Sequence, residues 1–396
     1  MPEIAEVARI VNRLRTHLVG KIITKVTPFE DAIVYKDTTH EAFKQALEGK
    51  KVLEARQWGK YFWLVMDSSP HPLMHFGMTG WIRFQHDSTA HYRATTPEEN
   101  PTWPPRFAKF LFDLPDASSL AFTDPRRLSR IRLIDHPTGD LRLVSPLSEN
   151  GPDPVQAPVS IDWLSAKLSA RRVPLKAWLL DQSVLAGVGN WVGDEILYHA
   201  RIHPEQGTNT LTAEMVARLH GALGYVTGLA VAVEADSSRF PQDWLMLHRW
   251  GKGEKRKVNV LPSGERIDFV KVGSRTSAFV PSLQRIVGEQ AGRKRGRKVK
   301  GVEGVEESEQ EEGEGEGEGE GSEVEEVKPA PKRRAKVKAV KKEEVDGDRG
   351  RDVPPPARRS LRAMAKAVKG EPEPKEEEES DFESLEVPAK KAKRVR

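Results

Sequence analysis

The sequence contains no cysteine. That excludes a disulfide framework and any cysteine-based zinc site, and it fits a reducing compartment. No apolar run approaches the roughly 20 residues of a membrane span. The opening MPEIAEV carries two carboxylates where a secretory signal would carry a basic segment. A soluble, intracellular protein with no membrane partner is the expectation. A large excess of one charge is also missing: 63 Lys and Arg stand against 59 Asp and Glu, for a formal net charge of +4. Aromatic residues nearly vanish from the last quarter, where Phe382 is the only one after residue 290. That part holds 27 basic and 27 acidic residues, so the whole net charge of +4 sits in the first 290 residues.

The tail is written in blocks. GEGEGEGEG (313–321) is an acidic low-complexity run, and RKRGRKVK (293–300), PKRRAKVK (331–338) and KKAKRVR (390–396) are basic clusters. A segment so poor in apolar side chains cannot offset its ordering entropy, which predicts disorder over 286–396. The basic clusters fit nuclear localisation or contact with DNA, repair or nuclear-import proteins; a solvated tail without specific partners is the alternative. The address they suggest is the nucleus, with a mitochondrial share left open.

The first 285 residues carry folded-domain patterns, of α+β class. Ile4, Val7, Ile10, Val11, Leu14 and Leu18 recur at helical spacing, which predicts an amphipathic helix over 3–18 with Gly20 as its stop. From 21 to 135 the pattern changes to short strands rich in aromatic and β-branched residues: YFWLVM (61–66), WIRF (81–84), FAKFLFDL (107–114) and SRIRLID (129–135). Several such strands suggest a β-sandwich, which together with the leading helix makes a first domain over 1–136. Residues 137–158 hold five prolines and read as a linker. Helical periodicity over 159–247 marks a second domain. A small hairpin element over 248–285 follows, with VNVL and RIDFV flanking the turn PSGE.

Chemistry begins at the N-terminus. Once Met1 is removed, Pro2 presents a secondary α-amine. An α-amine has a pKa of about 7.7–8.0, against about 10.4 for lysine, and a helix N-terminus disfavours a positive charge further. A neutral amine is what nucleophilic attack requires, and a secondary amine yields an iminium ion that acidifies the neighbouring carbon. The alternative is structural: proline is a normal helix starter, and Glu3 and Glu6 merely complement the helix dipole. The second informative stretch is LLDQSVLAGVGNWVGDEILYHARIHP (179–204), two helical segments around the turn AGVGN. Gly187 and Gly189 permit close backbone approach. Asn190 can cap the next helix, whose free N–H groups suit a phosphate.

These segments together resemble the formamidopyrimidine-DNA glycosylase family, and most nearly its plant and fungal branch. MPEIAEV looks like the family's N-terminal signature, 179–204 like its helix–two-turn–helix motif, and DFVKVGSRTSAFVPSLQ (268–284) like its C-terminal finger. Many members hold that finger with four cysteines around zinc. Here Val280 and its surroundings offer none, which is similar to the zincless finger of the plant and fungal branch. The resemblance covers about residues 1–285. It implies a bifunctional glycosylase and abasic-site lyase acting on oxidised purines in double-stranded DNA, as a monomer, with neither metal nor cofactor.

The resemblance also implies roles for matching positions. Pro2 is the Schiff-base nucleophile, and Glu3 the acid that assists ring opening and elimination. Glu6 lies by the lesion pocket. Lys60 contacts phosphate and supports base excision. His75, Asn190 and Arg275 clamp phosphates of the damaged strand. Met78 in HFGMTG and Arg126 in DPRRLSR fill the gap left by the extruded nucleotide. Leu128 stands where the family commonly has Phe. Without the resemblance, Lys60 reads as a snorkelling strand residue, Met78 as core filler and His75 as a core or edge histidine. EADSSRFPQDW (234–244) looks like a short version of the loop that closes over 8-oxoguanine in bacterial relatives. It favours formamidopyrimidines, hydantoins and abasic sites over 8-oxoguanine. Two rival readings are an endonuclease VIII-like enzyme for oxidised pyrimidines and a catalytically silent damaged-DNA-binding protein.

Overall fold

The structure, a computed structural model, describes residues 2–85, 102–250 and 259–288. The acidic run and the three basic clusters of the tail lie outside the described residues.

Helix α1 (Ile4–His17) opens the fold. Its apolar stripe works on two cores at once. Val7, Ile10, Val11 and Leu14 are buried with the strands, whereas Ile4 and Ala5 are buried with the helices of the second half. Each Val, Ile or Leu among them contributes about 1.5–3 kcal/mol on leaving water, so both cores pull on the same helix. The helix ends at the Leu18 cap, where the Leu18 N–H donates to the Leu14 carbonyl, and Gly20 then turns the chain with φ +86°.

Two antiparallel four-stranded sheets follow. The first has the order β1 (Lys25–Pro28), β6 (Ala108–Asp113), β7 (Ser119–Thr123), β5 (Trp81–Phe84). The second runs β2 (Val52–Trp58), β3 (Tyr61–Met66), β4 (His71–His75), β8 (Arg130–Ile134). Helix α2 (His40–Leu47) packs beside β1, and its Thr39 hydroxyl accepts from the Ala42 N–H as an N-cap. Strand β3 is buried on both faces, which explains its unbroken apolar run. Phe62, Leu64 and Met66 enter the core between the sheets, and Trp63 and Val65 face the other way.

That other face is covered by the proline-rich stretch 137–158, which is folded as well as connecting. Leu141 and Leu147, in two 3-10 turns, are buried against Trp63, Val65 and Leu73. The prolines pointed to a linker because they break periodicity, and periodicity cannot report a segment held by two isolated apolar anchors.

The second half contains α3 (Ile161–Ser169), α4 (Leu175–Leu180), α5 (Asn190–Ala200), α6 (Ala213–Ala232) and α7 (Leu245–His248). Helix α6 has 20 residues, and an 18-residue stretch of it has a mean hydropathy of 1.2, long and apolar enough to cross a membrane by length and composition. The expectation of no such stretch is corrected here, because Glu214 and Arg218 hide the run from a simple scan. Its buried residues, Leu219, Leu223 and Val226 among them, pack in the helical core, and α6 contacts α5, α1 and α3.

The finger differs from its expected register. The hairpin consists of β9 (Asp268–Val272) and β10 (Arg275–Phe279), turning at Gly273 with φ +60° and Ser274. PSGE closes only an isolated bridge between Val260 and Arg266. Proline and glycine marked the wrong turn because the real one hides inside an apparently continuous strand, DFVKVGSRTSAF. The hairpin is held by a small apolar core of Tyr198, Leu245, Leu261, Ile267, Ala278 and Val280. Gln284 adds a clamp: its Oε1 accepts from the Val280 N–H at 2.7 Å, and its Nε2 donates to the Ile202 carbonyl at 2.9 Å.

Candidate active site

The start of α1 is gripped by two turns from distant parts of the chain. The Ile4 N–H donates to the Gly187 carbonyl at 3.1 Å, which joins the first helix to the turn before α5. The Gln57 amide donates to the carbonyls of both Ile4 and Gly59 at 2.9 Å, which joins it to the β2–β3 turn. Asp153 fixes that turn by accepting from the Gly59 N–H at 2.8 Å. Space is the limiting factor. A Cβ at Gly59 would lie 2.7 Å from the Gly187 nitrogen, and one at Gly189 would lie 2.2 Å from Cδ of Glu3. Three backbones therefore meet where Pro2 and Glu3 sit, and both residues are buried.

Glu3 caps a helix that is not its own. Its Oε1 accepts from the Trp191 N–H at 3.0 Å and its Oε2 from the Val192 N–H at 3.1 Å. These are free donors in the first turn of α5, where the helix dipole favours an anion. The cap at α5 is thus supplied from across the chain. Gly189 is the N-cap residue and Asn190 the first helical residue, which corrects the reading of Asn190 as the cap. The amide of Asn190 instead donates from Nδ2 to the Thr276 carbonyl at 3.1 Å, and this contact sets it beside Arg275 at the start of β10. Its Oδ1 is buried without a hydrogen-bond partner among the described residues.

Glu6, one turn along α1, is buried as completely as Glu3. Its Oε2 accepts from the Glu3 N–H and its Oε1 from the Trp191 indole, each at 3.0 Å. Burial, reinforced by the neighbouring Glu3 carboxylate, pushes the Glu6 carboxyl up to about 7. Lys60 follows Gly59 directly and is partly exposed. Burial pulls its amine down from the ordinary lysine value against the opposing pull of Glu3, with Arg275 and Lys176 adding to the depression. The same electrostatic neighbourhood thus contains Glu3, Glu6, Lys60 and Arg275.

His75 joins this group through strand pairing. It stands opposite Tyr61 across β3 and β4, with ring centroids 4.7 Å apart, so it lies next to Lys60 on the sheet. Its Nδ1 accepts from the Gly77 N–H at 3.0 Å, which leaves the proton on Nε2. Burial, then the charges of Lys60, Arg132 and Arg130, lower its pKa to about 4, so the ring is a neutral donor at physiological pH.

Met78, Arg126 and Leu128 form a separate, more exposed group. Met78 is half-buried, and Arg126 and Leu128 are exposed. The two turns that carry them touch: a Cβ on Gly77 would lie 2.3 Å from the Leu128 carbonyl oxygen.

Several residues at these sites carried no sequence signal that reads as chemistry. Trp191 and Gln57 look like ordinary core and strand residues. Lys176 looks like a surface cation on a short helix, yet it is fully buried. Its ammonium pairs with Asp194 and also donates to the Asn190 carbonyl. Asp194 accepts from Arg249 at 2.7 Å and from the Ala278 N–H of the finger at 2.9 Å. This buried triad holds the first turn of α5 and the finger strand in one piece.

The stretch 234–244 leaves α6 through left-handed Glu234 and Ala235 and forms one 3-10 turn. Phe240 and Trp244 are buried and stacked at 4.7 Å, and Phe240 also packs on Trp191.

Residues 1–131 match the Formamidopyrimidine-DNA glycosylase N-terminal domain, and residues 150–242 the Formamidopyrimidine-DNA glycosylase H2TH domain. A formamidopyrimidine-DNA glycosylase of Arabidopsis thaliana is 37% identical over 291 residues, spanning 74% of this chain and 73% of that protein. One of Pediococcus pentosaceus is 30% identical over 295 residues, spanning 72% and 99%. Among solved structures, the MutM (Fpg) protein of Thermus thermophilus aligns with a TM-score of 0.55 at 27% identity, over 72% of this chain and 100% of that one. A mutant Lactococcus lactis protein in complex with Fapy-dG-containing DNA aligns with a TM-score of 0.58 at 25% identity, over 72% and 100%. Both domains occur in order in this chain, and the match spans 73% of the Arabidopsis protein and 99% of the Pediococcus one. The chain belongs to the formamidopyrimidine-DNA glycosylase family.

Proposed function

We propose that the protein is a base-excision-repair enzyme that removes oxidised purines from duplex DNA and then cleaves the strand, with the Pro2 amine as nucleophile. The observation that carries this reading is the burial of Pro2 and Glu3 in the notch between the Gly59–Lys60 turn and the first turn of α5. A chain terminus is ordinarily left in water. Here three backbones hold Pro2, one residue from the start of the chain, beside two carboxylates and a partly buried amine.

In the proposed sequence, the unprotonated Pro2 nitrogen attacks C1′ of the damaged nucleotide, the base departs, and a Schiff base forms. Glu3 assists ring opening, and Glu6 beside it retains a proton near neutrality. Eliminations at the β and δ positions then break the bonds to the 3′ and 5′ phosphates in turn, and water hydrolyses the Schiff base, which frees the sugar fragment and Pro2 and leaves a gap ended by phosphates. Lys60, His75, Asn190 and Arg275 hold the backbone phosphates of the damaged strand. Met78, Arg126 and Leu128 occupy the space of the extruded nucleotide, which offsets the few kcal/mol that unstacking costs.

The compact, aromatic-packed turn at 234–244 supports formamidopyrimidines and hydantoins as better substrates than 8-oxoguanine. The tail, with its basic clusters, addresses the protein to the nucleus in this reading, and a tail deletion followed by localisation of the enzyme checks that part.

Borohydride trapping with a lesion-containing duplex, followed by peptide mapping, tests the mechanism. An adduct on Pro2 is expected. An adduct on Lys60, whose amine is also depressed, reassigns the nucleophile, and no adduct under conditions of tight binding points to a silent binder. Parallel assays with oxidised-purine and oxidised-pyrimidine duplexes separate this reading from the endonuclease VIII-like one.

A further inference from the structure

The two turns assigned to void filling are connected by a residue to which no role has yet been given. Asp124 is 0% exposed, at the end of β7 and the head of the turn that carries Arg126 and Leu128. Its Oδ1 accepts from the Thr79 hydroxyl at 2.6 Å and from the Arg126 N–H at 3.1 Å, and its Oδ2 accepts from the Ser129 N–H at 2.7 Å. The contacts to Arg126 and Ser129 are what any aspartate makes at the head of a turn. The Thr79 contact is different. It crosses 45 residues of sequence to the turn that carries Met78. One buried carboxylate therefore grips both turns. Burial opposes its ionisation, but the Thr79 hydroxyl and the Ser129 and Arg126 N–H groups outweigh burial and hold the carboxyl below its ordinary value.

Two further contacts point the same way. Gly77 adopts φ +62° and has its α-carbon against the Leu128 carbonyl, so the turns are also in backbone contact. Arg127, between the two proposed void fillers, has φ +57°. Its guanidinium forms a fork on Asp31, with Nε 3.0 Å from Oδ2 and Nη2 3.0 Å from Oδ1, and Lys109 binds the same carboxylate at 2.8 Å. A left-handed non-glycine residue is held by its surroundings, here by an anchored side chain. Arg126 and Leu128 are left exposed on either side of it.

We propose that Asp124 is a positioning residue that locks the Met78 turn and the Arg126–Leu128 turn into one preformed wedge, and so governs nucleotide extrusion and discrimination of the opposite base. This rests on the reading of Met78, Arg126 and Leu128 as void fillers. A preformed wedge loses little rotamer freedom on entering the stack, so more of its contact energy is available for extrusion.

The test uses the full chain with four variants: D124N, T79V, M78A and R126A. T79V removes the bond between the turns and leaves the local bonds of Asp124 in place, so it decides the matter if D124N does not fold. Single-turnover excision is measured on duplexes with the lesion opposite each of the four bases. Cleavage of an abasic site in single-stranded DNA serves as the reference in which no partner base is present. The expected result is that D124N and T79V lose about tenfold more on the duplex than on the single strand, and flatten the opposite-base preference in the direction that R126A does. If R126A flattens the preference and T79V keeps the wild-type pattern, Asp124 is only a turn residue and the proposal is overturned. If M78A and R126A both behave as wild type, the void-filling assignment falls and the inference falls with it.

Discussion

The cradle around Pro2 and the wedge around Met78 are both assembled from turns, yet they are built by opposite means. The cradle draws on segments near residues 3, 59, 153, 190 and 275. It is buried, and it is closed by carboxylates that face helix N–H groups and by glycines that let backbones touch. The wedge draws on two turns of one sandwich, exposes its tips, and is tied underneath by one carboxylate and one backbone contact at Gly77. A nucleophile must be held to within a fraction of an ångström of its target, so its frame is over-determined. A wedge must reach into a flexible partner, so only its base is fixed.

The largest expected effect comes from removing the one group that has no counterpart in the wedge. A single residue added ahead of Pro2, or retention of Met1, converts the amine to an amide. Cleavage of abasic-site DNA is then expected to fall by about a thousandfold or more. Binding of the same duplex should change little, because the phosphate contacts and the wedge are intact. Cleavage at the normal rate by a verified extended protein would remove Pro2 from the mechanism and put the cradle on the same footing as the wedge.

A smaller effect follows from the geometry at Gly189. In Gly189→Ala the new methyl meets the Glu3 carboxyl carbon at 2.2 Å, so Glu3 must leave the first turn of α5. The expected cost is about 1–3 kcal/mol in denaturant unfolding, with a parallel loss of excision. Gly221→Ala is the control. It lies within α6 with nothing near the added carbon, and is expected to stabilise by about 0.5–1 kcal/mol with activity retained. If both variants unfold alike, the crowding at Gly189 is not what orders the cradle.

The wedge and the cradle were also unequally legible in the sequence. Local periodicity revealed α1, β3, β5, β6 and β8 within a residue or two, because each buries a face or a whole strand that its own residues encode. Strands β1, β2, β4 and β7 and helix α2 were not anticipated. HPLMH and SLAFT are too short to show alternation, and HEAFKQAL shows only Phe43 and Leu47 as buried residues. Motif resemblance named Pro2, Glu3, Lys60 and Asn190, but it did not indicate that Glu3 would cap α5, since that bond joins residues 188 and 189 positions apart. Asp124 and its partner Thr79, 45 residues apart, escaped for the same reason, and so did Asp31, Lys109 and Lys176. A buried charge pair is written in the sequence as two unrelated surface charges, and only the fold shows that they meet.

Protonation sets the two regions apart with opposite signs. The Glu6 carboxyl is raised from its ordinary 4.5 to about 7, so the folded state binds the proton more tightly than the unfolded chain does. Its contribution to stability is full below about 4.5 and is lost as pH rises through about 7. The Asp124 carboxyl is held below its ordinary 3.8, so its contribution is present above that value and is lost on further acidification. Denaturant titrations of E6Q and D124N against the wild type should therefore diverge in different windows. E6Q should gain relative to wild type between about pH 4.5 and 7, and D124N should close its deficit below about pH 3.8. Parallel curves for wild type and E6Q across that range would mean that Glu6 is solvated rather than buried against Glu3.

The finest distinction concerns two residues on the phosphate side of the cradle. In the proposed phosphate clamp Arg275 brings a full charge to the DNA, so its replacement by alanine should lower the slope of log affinity against log salt by about 0.9. His75 is different in kind. Its Nδ1 accepts from Gly77, its pKa lies near 4, and Lys60 stands beside it, so it approaches a phosphate as a neutral Nε2–H donor. A neutral donor displaces no counterion. His75→Ala should weaken binding by about 1.5–3 kcal/mol, the range of a hydrogen bond to a charged group, and leave the salt slope where it was. A phosphate in contact with the ring would tend to restore the proton that burial and Lys60 remove. If His75→Ala lowers the slope as much as Arg275→Ala does, the phosphate has won that competition, and the cradle binds DNA with one more positive charge than its free form carries.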